Sequence, residues 1–116
     1  MSILTYIMRR RDPAAEPYEV TQFVTEVGAR VRLMRLARGL TQAELAERAD
    51  ISRLTLISIE GGALSSRFVD VARLLWALDD VSLQATLATA AQDPAYQEAA
   101  RSNLPHFSSR RKKVSV

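Results

Sequence analysis

Gly39-Leu40-Thr41-Gln42-Ala43-Glu44-Leu45-Ala46-Glu47-Arg48-Ala49-Asp50-Ile51-Ser52-Arg53-Leu54-Thr55-Leu56-Ile57-Ser58-Ile59-Glu60-Gly61-Gly62 is the stretch that decides the fold. Thr41 to Glu44 has the form of a capping box, in which the Thr41 hydroxyl accepts from the Glu44 amide and the Glu44 carboxylate reaches back to the Thr41 amide. The helix it opens reaches only Ala49, about two turns. Asp50 is a turn residue, and Ser52 is a second N-cap that opens another short helix to Glu60, which Gly61-Gly62 stops. Leu45, small Ala46, Ile51, Leu56 and Ile59 are the inward positions. Arg53, Leu54, Thr55, Ile57 and Ser58 are left on the outer side of the second helix.

Outward from this pair the helical period continues on both sides. From Thr21, Phe23, Val24, Val27, Val31 and Met34 recur at three- and four-residue spacing and share one face, with Arg30, Arg32, Arg35 and Arg38 mostly on the others. Gly39 ends that helix. A fourth helix is expected from about Ser66 to Leu78, with Phe68, Val71, Ala72, Leu75 and Leu78 as its buried stripe. After Asp79-Asp80 the period changes to two. Val81, Leu83, Ala85 and Leu87 alternate with Ser82, Gln84 and Thr86, which predicts a half-buried strand over 81–87. A lone strand needs a ladder partner, and the same strand from a second subunit is the simplest source. The alternative is that 81–87 continue as a fifth helix. Asp93-Pro94 has the form of an N-cap followed by proline at the first helical position, so a short helix to about Ser102 is expected.

The chain thus divides into an N-terminal arm (1–20), a helical domain (21–89) and a short helix with a basic tail (90–116). The 116 residues are room for one compact domain with tails. A 47% hydrophobic share with only 6% aromatics favours a helical core of Leu, Val, Ile and Ala over a sandwich or barrel. The absence of cysteine removes disulfides, Cys-based metal sites and thiol nucleophiles from consideration. No apolar run approaches the ~18 residues of a membrane span. The first eight residues place their apolar stretch before the charges, the reverse of a secretory signal. The expectation is a soluble, cytoplasmic protein that meets no membrane.

The cations are clustered: Arg9-Arg10-Arg11, the Arg30 to Arg38 series, and Arg110-Arg111-Lys112-Lys113. Such clusters are the footprint of a polyanionic partner, although charge runs at termini are as often plain solvated tails. The single histidine, His106, lies between Pro105 and Ser108-Ser109 in the tail, a poor place for a rigid catalytic triad. No catalytic, metal or cofactor site is expected.

Two short helices joined by a tight turn suit DNA recognition, with the second helix in the major groove and the first across the backbone. Gly39 to Ala46, with Ser52, Ile59-Glu60 and Gly62, resembles the Cro/XRE-type helix-turn-helix of phage and bacterial repressors over about residues 27–78. The resemblance implies an all-α, lambda-repressor-like helical bundle, here with the one short strand, that dimerises on palindromic operators in double-stranded DNA. Carried over by position, Gln42 would bond a phosphate and Ser52 would hold a phosphate or cap the recognition helix. Arg53, Leu54 and Ser58 would face base edges with Thr55 beside them. Arg67 would approach the minor groove, and Arg38 would add to the basic face. Arg35 and Glu60 match an internal salt bridge, so Glu60 is expected to be structural. Gly61 and Ala63 depart from the pattern, because a basic residue usually follows that glutamate. The helix followed by the 81–87 strand looks like the HipB-type antitoxins. That would imply a homodimer paired through Val81, Leu83, Ala85 and Leu87, and a HipA-like kinase toxin as partner. The alternatives are a stand-alone repressor and a protein-interaction module without DNA binding.

Overall fold

The computed structural model describes residues 15–103, and all of the regular structure in them is helical. Six helices follow in order: α1 (Tyr18–Ala37), α2 (Gln42–Ala49), α3 (Arg53–Glu60), α4 (Phe68–Ala77), α5 (Ser82–Ala90) and α6 (Pro94–Asn103). The chain forms two compact units that divide between Asp80 and Val81. The arm tip, both terminal basic clusters and His106 lie outside the described residues.

In the first unit, α1 packs on α3, while α2 packs on both α3 and α4. Val31, Leu45, Leu56, Leu74 and Leu78 are its largest fully buried side chains, with Leu40, Ala46, Ala49, Ile59 and Leu75 around them. The capping box of α2 forms as its sequence predicts, with the Glu44 amide donating to Thr41 Oγ1 at 3.1 Å and the Thr41 amide donating to Glu44 Oε1 at 3.0 Å. Donation from the Thr41 amide, helped by the Thr41 side chain, holds the Glu44 carboxyl below the usual carboxylate range.

Four successive helices close in one manner. Gly39, Asp50, Gly62 and Asp79 each take a positive φ. The next amide then bonds back five residues, Leu40 to Arg35, Ile51 to Ala46, Ala63 to Ser58 and Asp80 to Leu75. This Schellman closure satisfies carbonyls that the helix end leaves open. It also makes each turn short, which keeps α2 and α3 adjacent.

Gly28 has a separate role inside α1. A Cβ there would collide with the carbonyl oxygen of Ile59, so the two helices meet backbone to backbone. Glycine inside a helical pattern costs roughly 1 kcal/mol against alanine. That cost is the local signal of a packing reason, and the periodicity reading passed over it.

Three expectations need correction. First, residues 82–90 are helix, not strand. A helix satisfies its own backbone groups, whereas a lone strand cannot. The run of Ala85, Ala88 and Ala90 also favours helix. Thr86 and Thr89 turn their hydroxyls onto the carbonyls of Ser82 and Ala85, four residues back. The helical period puts Leu83 and Leu87 on one side and Val81 and Ala85 on the opposite one, so the four no longer form a common face. Second, the stripe of α4 is rotated: Asp70, Leu74 and Leu75 are its buried residues, while Phe68 is 80% exposed and Ala72 is exposed. The charge of Asp70 concealed an inward position. Third, Phe23 is exposed and α1 begins at Tyr18, three residues before the expected start, while Val24 is half-buried. The short helix after Asp93 is present as expected, with the Ala95 amide donating to Asp93 Oδ1 at 2.8 Å.

Candidate nucleic-acid interface

The turn between α2 and α3 is three residues long, and Ser52 caps α3 by accepting from the Thr55 amide at 3.0 Å. Its hydroxyl also lies 2.8 Å from Thr55 Oγ1, which orients the first turn of the helix. Leu56 and Ile59 fix the inner side of α3 in the core. The outer side then presents Arg53, Leu54 and Ser58, with Thr55 partly covered; Leu54 is 76% exposed. An exposed leucine beside Arg and Ser makes a mixed polar and apolar face.

A buried network beneath this face couples three helices. Arg35 in α1 donates through Nε and Nη2 to the two Glu60 carboxylate oxygens at 2.7 and 3.0 Å. Its Nη1 donates to the Leu40 carbonyl at 2.9 Å. The expected salt bridge is therefore formed, with both side chains nearly sealed from solvent. Gln42 Nε2 donates to Glu60 Oε1 at 3.2 Å, which holds the amide at the start of α2. One of the two Nε2 hydrogens remains available to an outside acceptor.

Gln42 lies in an open groove of about 500 Å³ lined with Arg32, Arg35, Thr41, Ala43 and Arg53. The amides of Gln42 and Ala43 form the open, positive end of the α2 dipole, because the capping box uses only those of Thr41 and Glu44. Among the described residues neither Arg32 nor Arg53 makes an ion pair. The arrangement offers two cations, a fixed amide and a helix start to an anion. The structure thus brings Gln42 and Arg53 together and adds Arg32, which the sequence placed only within a basic series.

The remaining predicted positions lie elsewhere. Arg67 donates through Nε and Nη2 to Asp70 at 2.9 and 3.0 Å. These bonds, above all, hold the Asp70 carboxyl below its usual range. With Thr55, Ser58, Ile59, Ser65 and Ser66, the Arg67–Asp70 pair borders a second cleft of about 210 Å³ at the other end of the α3 face. Arg38 follows the end of α1, exposed, with only a long contact of Nη1 to Met34 Sδ at 4.0 Å. Gly61 and Ala63 give the far end of α3 no charge.

The basic series is smaller than its sequence suggests. Arg30 donates through Nε and Nη2 to Asp80 at 2.7 and 3.1 Å, and Asp80 is almost fully buried. Arg30 and Arg35 are thus spent on structure, and Arg32 and Arg38 remain for an outside partner. A carboxylate fifty residues away gives no local signal, so sequence periodicity alone could not remove Arg30.

Residues 26–79 match the family model described as a helix-turn-helix domain, a little under half of the chain. No curated protein and no solved structure matches the chain. The family match supports a DNA-binding helix-turn-helix of Cro/XRE-like type and points to a DNA-binding regulator. Among the described residues no helix is long and apolar enough to cross a membrane.

Proposed function

We propose that this chain is a sequence-specific DNA-binding repressor that acts as a dimer on a palindromic operator and performs no catalysis. The observation that carries the proposal is the exposed α3 face of Arg53, Leu54 and Ser58 flanked by the Arg32–Gln42–Arg53 groove. In this reading Gln42, Arg32 and the first amides of α2 hold one backbone phosphate, and α3 lies in the major groove. Arg53 at the border of the two regions takes a guanine bidentately, Leu54 meets a thymine methyl, and Ser58 bonds a base edge. Ser52 serves as the cap of α3, and Arg67, braced by Asp70, supports the backbone or the minor groove. Arg38 adds an unspecific cation.

The stand-alone repressor is preferred to the toxin-binding reading. The likeness to HipB-type antitoxins rested on the 81–87 strand, and those residues are helical. No described feature now selects a toxin as partner.

The test compares the full chain on duplex DNA from upstream of its own coding region and on a shuffled duplex of equal composition, across a salt series. The account expects a marked preference for the upstream duplex. Arg32→Ala and Gln42→Ala lower affinity for both duplexes alike, with a salt slope reduced by about one for Arg32. Arg53→Ala lowers the preference itself, by roughly tenfold or more. Equal binding of both duplexes by the parent chain would contradict sequence-specific recognition. Equal losses for Arg53→Ala would make that residue a phosphate contact.

A further inference from the structure

The outer face of α4 carries large apolar side chains that its own unit leaves open. Phe68 is 80% exposed, Trp76 74% and Val69 47%, with exposed Ala72 among them. Phe68, Ala72 and Trp76 are four residues apart, so they lie along one side of the helix. Two aromatic rings at this exposure present roughly 300 Å² of apolar surface, already the size of a functional patch on a small protein.

The order of the three residues is self-complementary. When two such helices cross antiparallel about a two-fold axis at Ala72, residue 68 of each meets residue 76 of the other. The small side chain falls where the helices come closest, and each aromatic ring meets an aromatic ring. Self-complementarity is what an isologous interface requires. The stripe itself carries no charge; Arg73 lies at its margin, and the neighbouring Arg67 is neutralised by Asp70.

We propose that the outer face of α4 is the homodimer interface, with a second copy of this chain as its occupant and the two-fold axis passing by Ala72. The inference deepens the proposed function, on whose dimer it rests, and moves the interface away from residues 81–87. Its apolar area is below half of the ~800 Å² per partner of a standard interface. With so small an apolar patch the free dimer is expected to be weak, and DNA with two half-sites strengthens it by holding both copies.

The test uses the full chain and its single tryptophan, Trp76, as a local reporter. Mass by sedimentation and Trp76 emission are followed over about 1–300 µM, a range that brackets micromolar association. The expected result is a monomer-to-dimer transition with a blue shift of emission at the same midpoint. Ala72→Arg weakens the dimer at least tenfold and leaves the helical circular dichroism unchanged, because the site is exposed. Ala72→Glu does the same, and an equimolar mixture of the two variants regains the dimer mass, since opposite charges then meet at the axis. A monomer throughout the range with constant emission would overturn the proposal, and so would a dimer indifferent to both substitutions. A mixture that stays monomeric would overturn the axis at Ala72. Binding to a single half-site separates this outcome from failure of the DNA reading: Ala72→Arg keeps it whether or not the chain dimerises through α4, and its absence in the parent chain indicts the helix-turn-helix.

Discussion

Residues 18–80 and residues 81–103 are both helical, but their helices are held by different means. All of the buried apolar side chains among the described residues lie in the first set, whereas α5 and α6 have no buried residue. In the first set, the capping box of α2, the Ser52 cap of α3, Schellman closures and internal ion pairs agree with a shared core. In the second, the support is local: alanine-rich sequence, Thr-to-carbonyl bonds and the Arg101–Glu98 pair at 2.6 Å, both of whose side chains are solvent-exposed. Isolated helices of about ten residues are marginal in water. The contrast teaches that one residue type carries different weight in the two regions.

The largest expected effect comes from the same leucine deletion made in each region. Leu74→Ala is expected to cost about 2–5 kcal/mol of unfolding free energy, because Leu74 is fully buried. Leu87→Ala, on the exposed side of α5, is expected to stay within about 0.5 kcal/mol. Urea denaturation of the two variants checks this, and equal losses would erase the distinction.

Ion pairs come next. Arg35→Met leaves the Glu60 carboxylate buried without its main partner, at a cost of about 3 kcal/mol, whereas Arg101→Ala costs below about 1 kcal/mol. Raising salt should narrow the second difference and leave the first nearly unchanged; thermal melts at two ionic strengths provide the measurement.

Caps should give about 1 kcal/mol each. Thr41→Ala and Ser52→Ala remove the hydroxyls that accept from the Glu44 and Thr55 amides. The account expects Thr41→Ser to recover most of the first loss, so a serine variant as unstable as the alanine one would place the effect elsewhere.

Asp50 and Asp79 offer the opposite sign. Both hold φ near 55°, where glycine is free of Cβ strain, so Asp50→Gly and Asp79→Gly are expected to raise stability by up to about 1 kcal/mol. A loss would mean that the aspartate side chains support their turns.

Acid titration gives the smallest effect near neutrality. The folded state holds the Asp70 and Glu44 carboxyls below their ordinary range, so both favour folding while ionised. That contribution is fully present above the unfolded carboxyl pKa of about 4 and is lost as pH falls through the lower folded values. Asp70→Asn should flatten the fall in stability below about pH 4. An unaltered acid limb would assign the fall to other groups.

The helix-turn-helix was legible in the sequence because its signals are local: Thr41 with Glu44, Ser52 before Arg53, and Gly39 and Gly62 at helix ends. The Arg35–Glu60 pair came from family resemblance, since a contact across 25 residues has no local mark. What periodicity could not give was whatever depends on distant partners. Arg30 belongs to the basic series by sequence, and only the fold sets the buried Asp80 carboxylate against it. The expected stripe of α4 passes over Asp70 and places Phe68 and Ala72 inward, although Asp70 is the buried one of the three. The alternation at 81–87 is compatible with two periods over so short a run, and backbone satisfaction, with no strand among the described residues to pair with, decides for helix. The roles of Gln42 and Arg53 follow from the resemblance, whereas Arg32 joins them only in the folded chain, where it lines the same groove.

The most direct test of the central claim is selection of duplexes by the full chain from a random-sequence pool. Recognition through α3 predicts enrichment of an inverted repeat, with half-sites about one helical turn apart, and an altered motif for Arg53→Ala. A pool that remains random after repeated rounds, or a motif that Arg53→Ala leaves unchanged, would contradict base reading by this face.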